Sequence, residues 1–236
     1  MAAIIDYASS RFNSVPDIHA AVPNFTKLQA STIISDVLGP LIAAAGMEHI
    51  IALTLVHSHF PVPNGGKLVN YGPVATPWSA ANLQSCGDNI HPLKWQFVEG
   101  GSGITPYEFT YSEQQPPVEA QLTPEVKEFL LILGGVLVEY GLANLIGVRL
   151  LGGMYNHLDH AELPDVEVTT GEASITLPGH LFQYGLEPED TFVETDWEFQ
   201  KTGEAQGGRP VVCRKCKATC KVRAGEHRNF HQGTNL

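Results

Sequence analysis

Two histidines one residue apart follow directly on an apolar stretch, where Ile50-Ile51-Ala52-Leu53-Thr54-Leu55-Val56 runs into His57-Ser58-His59-Phe60. The stretch is short, aliphatic and rich in β-branched residues, which predicts a buried strand. Residues two apart on a strand share a face, so Leu53, Leu55, His57 and His59 are expected to project together, with both imidazoles at the rim of a hydrophobic floor. Two imidazoles so placed can offer nitrogens to one metal ion, which then needs one or two further ligands. The alternative is two polar residues that end a strand and bond locally.

A second group of metal-type residues lies near the C-terminus: Cys213, Cys216, Cys220, His227 and His231. Thiolate and imidazole together favour zinc, and the pairs resemble a zinc finger in outline. The gap from Cys216 to His227 is ten residues instead of about twelve, the hydrophobic positions of a finger are missing, and Cys220 is left over. A different arrangement has Cys213 or His227 fold back to complete a site begun by His57 and His59, giving one mixed His/Cys centre. The plain reading is a terminal strand whose alternating Lys and Arg protect a sheet edge.

Other residues extend the set. Glu108 stands between Tyr107 and Phe109 on a predicted strand, facing away from them, where it would serve as general base or carboxylate ligand if that face is the pocket. His157-Leu158-Asp159-His160 reads as a polar loop with some metal-binding character, and Cys86 with His91 has the composition of a Cys/His nucleophile pair without an orienting third group. Trp78, Trp95 and Trp197 could instead line a metal-free isomerase or cyclase pocket.

The elements that must position these groups are mostly strands. Residues 1–24, with Pro16 and Pro23, read as an irregular surface leader. A helix is expected from Thr26, with Pro40 as a kink and Gly46 as a stop. A second begins at Thr123, where Thr-Pro-Glu supplies an N-cap, a proline at the first helical position and an acid at the positive end of the dipole. Gly134 and Gly135 inside it predict a close approach to a sheet. Strands are expected at Lys67 to Tyr71, Lys94 to Val98, Tyr107 to Tyr111, Ile146 to Leu151, Val166 to Thr170, Ala173 to Leu177, Thr195 to Phe199 and Val211 to Val222. Asn64-Gly65-Gly66 reads as a hairpin turn, and Pro73 to Pro92 as a long loop. Strands that do not alternate with helices predict an α+β fold: one domain over residues 1–236, a largely antiparallel sheet and two main helices, with residues 209–236 as a basic Cys/His-containing tail.

Composition narrows the function classes. The chain has 236 residues, a formal net charge of −11, and is 43% hydrophobic and 17% charged, which is ordinary for one globular unit. The acidic balance repels nucleic acid, except that Arg209, Arg214, Lys215, Lys217, Lys221, Arg223 and Arg228 make half of the 14 basic residues. A non-catalytic binding protein using this basic segment is therefore the rival to an enzyme. Met1 to Ile5 ends at Asp6, short of a secretory signal, and no apolar run reaches the roughly 20 residues of a membrane span, so a cytoplasmic protein with its cysteines reduced is expected.

The His-x-His-Phe after an apolar strand, the Tyr-Glu-Phe strand and the terminal stretch of Cys213, Gly225, His227 and Phe230 resemble a set of small fungal secondary-metabolism proteins, near the zinc-dependent cyclopenases of quinolone alkaloid pathways. The motifs span about a quarter of the chain, and Cys216 and Cys220 depart from them. The resemblance implies a Zn(2+) lyase that expels methyl isocyanate from a small benzodiazepinedione substrate to leave a quinolone. The expected site is then His57, His59, Cys213 and His227 on the metal, with Glu108 moving the proton.

Overall fold

The computed structural model describes residues 1–113, 122–151, 165–178, 190–204 and 210–223. Its elements begin with β1 (Ala3–Ile4), α1 (Ser9–Phe12), α2 (Ile18–Lys27) and α3 (Ala30–Ile33); a π-helical turn over Ile34–Leu38 leads into α4 (Gly39–Ala44). There follow β2 (Ile51–Leu55), β3 (Lys67–Tyr71), β4 (Val74–Trp78), α5 (Ala80–Cys86), β5 (Ile90–Val98), β6 (Gly103–Tyr111) and α6 (Pro124–Glu139). The chain continues through β7 (Ile146–Leu150), β8 (Asp165–Thr170), β9 (Ala173–Leu177), β10 (Asp190–Glu204) and β11 (Pro210–Arg223). The α+β architecture with one mainly antiparallel sheet is as expected.

The sheet is closed. Its strands run β1-β6-β3-β4-β9-β8-β11-β10-β2-β7-β5, and β5 also pairs with β6, so every strand but β1 belongs to a ring. Of the pairings only β1 with β6, β3 with β6, and β11 with β8 are parallel. Closure gives the sheet an outside and an inside, and alternation along each strand sends neighbouring residues to opposite sides. Trp95, Val148, Trp197 and Phe199 join Ile34, Leu38, Ile42, Leu130, Leu133 and Leu137 of the helices in the main core, which therefore lies outside the ring. Lys94, Arg149, Asp196 and Glu198, each next to one of those residues, face inward.

Helix packing explains several glycines and corrects some expectations. A Cβ on Gly39 would press on the Phe199 ring, so α4 lies directly against β10, and Phe25 of α2 stacks on Trp197 with centroids 5.6 Å apart. Residues 1–24 are not an irregular leader. Asp17 caps α2 by accepting a hydrogen bond from the Ala20 amide at 2.8 Å, and Pro23 sits inside that helix, with apolar packing overriding the backbone bond it removes. The helix expected from Thr26 is interrupted, and the π turn just ahead of Pro40 absorbs the missing donor. The hairpin between β3 and β4 turns at Gly72-Pro73, with Gly72 at φ +58, and not at Asn64-Gly65-Gly66. The expected long loop from Pro73 to Pro92 holds β4, α5 and the start of β5. Finally, β11 pairs with β10 along most of its length and with β8 over Ala218–Cys220, so it is an inner strand there, while Arg214 and Lys215 lie on the stretch paired with β10.

In α6, Thr123 caps the N-terminus as expected, accepting from the Val126 amide at 3.4 Å. Of its two glycines only Gly134 is there for close approach: a Cβ would collide with the Gly101 carbonyl oxygen of the β5–β6 turn, whereas Gly135 has open space. Gly134→Ala is expected to destabilise the protein by roughly 2 kcal/mol, an overpacking cost, and Gly135→Ala to stabilise it by about 0.5–1 kcal/mol through helix propensity. Urea unfolding of the two variants beside the wild type checks both signs.

Candidate metal centre

The strand β2 stops at Leu55, so strict alternation is not what carries the two histidines. Beyond it Ser58 is anchored to the segment between α1 and α2. Its amide donates to the Pro16 carbonyl at 2.9 Å and its hydroxyl to the Val15 carbonyl at 3.1 Å. Asn13 adds a reciprocal pair with the Val62 backbone at 3.0 and 2.9 Å. The N-terminal residues thus hold His57-Ser58-His59 in place. Leu53 and Leu55 turn to the outer core while both imidazoles face the interior of the ring, which corrects the expectation of a common hydrophobic floor.

There they meet Glu167 of β8, a residue the sequence reading passed over. Nε2 of His57 and Nε2 of His59 each lie 3.8 Å from Oε2 of Glu167, and one ligand atom from each residue falls within a 4.8 Å set. These three residues could hold a metal ion. Two imidazoles and one carboxylate form a donor set suited to catalytic zinc, which keeps an open position, and also to ferrous iron. Drawing all three onto one ion requires inward movement of less than about 1 Å, given bonds near 2.0–2.2 Å.

The proton positions sharpen the point. Nδ1 of His57 lies 2.9 Å from the Leu55 carbonyl oxygen, which can only accept, so Nδ1 carries the proton and Nε2 presents a lone pair. Burial, with His59 beside it, pushes the His57 pKa down to about 3, so the ring is neutral at ordinary pH. Burial works to raise Glu167, yet Lys94 and His59 hold its carboxyl well below the usual range. A neutral imidazole nitrogen and a carboxylate oxygen, both acceptors, therefore face each other across 3.8 Å, too far for a hydrogen bond even if a proton lay between them. Both atoms are buried without a hydrogen-bond partner among the described residues. His59 is oriented by Thr169, two residues from Glu167 on the same face of β8, with Oγ1 at 2.8 Å from Nδ1.

Glu108 reaches this group through Lys94. Its Oε2 lies 3.1 Å from Nζ of Lys94, which in turn is 3.8 Å from Oε1 of Glu167. Since β5 and β8 are not neighbours in the ring, this contact crosses the interior. Register shifts on either side of the Lys94–Glu108 pair leave Leu93 and Tyr107 as extra residues, bulges that turn the pair inward. Burial raises the Glu108 pKa, opposed by Lys94, whereas Glu108 and Glu167 outweigh burial at Lys94 and keep its ammonium charged. One ammonium set between two carboxylates leaves a negative charge unmatched among these groups, which a divalent cation would offset.

The remaining candidates separate from this centre or fall outside the described residues. The backbone of Cys213 pairs with Gln200, and it is Cys220 whose backbone pairs with Glu167. His227, His231 and the His157–His160 stretch lie outside the described residues. His91 turns to the Ser112 carbonyl at 3.0 Å and Cys86 meets the Ser85 hydroxyl at 3.9 Å, so they form no nucleophile pair. Trp95 and Trp197 belong to the outer core and Trp78 packs on Tyr111, so the three tryptophans line no common pocket. Among the described residues, no helix is long and apolar enough to cross a membrane. Comparison with protein-family models, curated proteins and solved structures finds no match to this chain.

Proposed function

We propose that this chain is a zinc-dependent enzyme acting on a small metabolite in the cytosol, a lyase of the cyclopenase type that releases methyl isocyanate from a benzodiazepinedione to leave a quinolone. The observation that carries the metal is the meeting of His57, His59 and Glu167 ligand atoms within 4.8 Å, with the buried His57 Nε2 lacking a hydrogen-bond partner among the described residues. The lyase assignment rests on the motif resemblance. Zinc bound there would supply Lewis acidity toward a carbonyl or epoxide oxygen. His57, His59 and Glu167 would hold it, the carboxylate taking the place first given to Cys213 or His227. Glu108, buried and near the ion, would move the proton; its raised pKa suits a group that must both take up and return one. The fragmentation needs no oxidant and consumes no water, which fits a site enclosed by a sheet.

Metal analysis of the purified full chain is the first test. About one zinc per chain is expected, lost in the His57→Ala, His59→Ala double variant together with methyl isocyanate release from an epoxidised benzodiazepinedione. Absence of stoichiometric metal, or full activity in that variant, ends this reading.

A further inference from the structure

Whether a carboxylate binds a metal through one oxygen or two decides how many positions stay open for substrate, and at Glu167 the two oxygens have different neighbours. Oε2 faces both imidazoles, while Oε1 faces the Lys94 ammonium, each at 3.8 Å. Lys94 cannot follow Glu167 toward a metal, because Glu108 holds it at 3.1 Å and the flanking bulges fix the strand positions of both partners. Resting on the metal reading above, we propose that Lys94 is a positioning residue that keeps Glu167 monodentate, and so selects a small four-coordinate ion such as zinc over manganese or calcium, which take more oxygen ligands.

The physical basis is competition for one lone-pair set. An ammonium fixed at Oε1 favours electron density there, and rotation of the carboxylate to place both oxygens on the ion would separate these opposite charges in a buried setting. Calcium and related hard ions draw much of their selectivity from bidentate carboxylates and high coordination number, so the lysine works against them while leaving zinc its three protein ligands and an open place. Removing Lys94 alone would strand Glu108 as a buried charge, whereas replacing the pair with apolar residues of similar volume is often tolerated.

The test uses the full chain loaded with cobalt(II) in place of zinc, compared with the Lys94→Met, Glu108→Met double variant and with Lys94→Gln. The wild type is expected to give the intense visible bands of four-coordinate cobalt. Both variants are expected to give the weaker bands of higher coordination and to lose about tenfold or more of the preference for zinc over manganese in a competition titration. Lys94→Gln keeps a donor for Glu108 and answers the question should the double variant not fold. Bound cobalt with an unchanged spectrum and unchanged preference in the variants overturns the role of Lys94 alone. A wild type that binds neither cobalt nor zinc overturns the metal reading itself.

Discussion

Glu167→Gln is expected to yield a chain that still folds and has lost its metal. In the metal-free protein the carboxylate turns a lone pair toward the lone pair of His57 Nε2, an arrangement that stabilises nothing. A glutamine of the same shape can turn its amide toward that nitrogen and keep its oxygen toward Lys94, which offsets part of the charge pairing with Lys94 and His59 that is lost with the carboxylate. Zinc affinity, however, is expected to fall at least about 100-fold, close to 3 kcal/mol, because a neutral amide oxygen replaces the anionic ligand. Thermal unfolding with chelator and with excess zinc separates the two effects. The chelated variant should fall only slightly below the chelated wild type, by the lost pairing with Lys94, and zinc should raise the midpoint of the wild type only. A chelated variant several degrees less stable, with zinc without effect on either protein, would mean that His57 is protonated and that the cluster is a structural ion pair. That result removes the basis for the zinc enzyme.

How much of this centre the sequence disclosed follows from the kind of regularity each part has. His57 and His59 stand out because two imidazoles beside an apolar run are chemically conspicuous, and Glu108 because it interrupts an aromatic strand. Glu167 lies on Val166-Glu167-Val168-Thr169, a strand whose alternation reads as an ordinary wet outer face. Only ring closure turns that polar face inward, and closure depends on β5 pairing with β6 as well as β7, a long-range fact without a local signature. In the N-terminal segment two prolines point to irregularity, whereas the Asp17 cap and the apolar Ile18, Ala21 and Phe25 pattern make α2 a helix once that face is packed. Strand positions were legible because β-branched composition is local. The inside and outside of the sheet were not, since inverting the usual polarity leaves each strand's pattern unchanged.

Arg149→Met is expected to be the most damaging single substitution for stability, by about 3–5 kcal/mol. The guanidinium grips Asp196 with two nitrogens at 2.9 and 3.1 Å and reaches Glu198 at 2.9 Å, a forked geometry lysine cannot reproduce. The arginine sits on β7 and the two acids on β10, with β2 between them. Its cross-strand neighbour on β2 is Ala52, small enough for the side chain to pass over. Burial alone would disfavour the arginine's charge, and Asp196 followed by Glu198 more than compensates. Without the guanidinium the buried Asp196 loses its principal cation, which is where most of the expected loss arises. Adding Asp196→Asn and Glu198→Gln to the arginine variant should therefore recover most of it in urea unfolding. A loss under about 1 kcal/mol for Arg149→Met would show the network to be solvated. The effect should also reach the metal centre. Lys94 is the cross-strand neighbour of Arg149 on β5 and already feels Asp196. An unpaired Asp196 would then draw the ammonium away from Glu167, and cobalt bound to Arg149→Met should show the same move to higher coordination as the Lys94 variants.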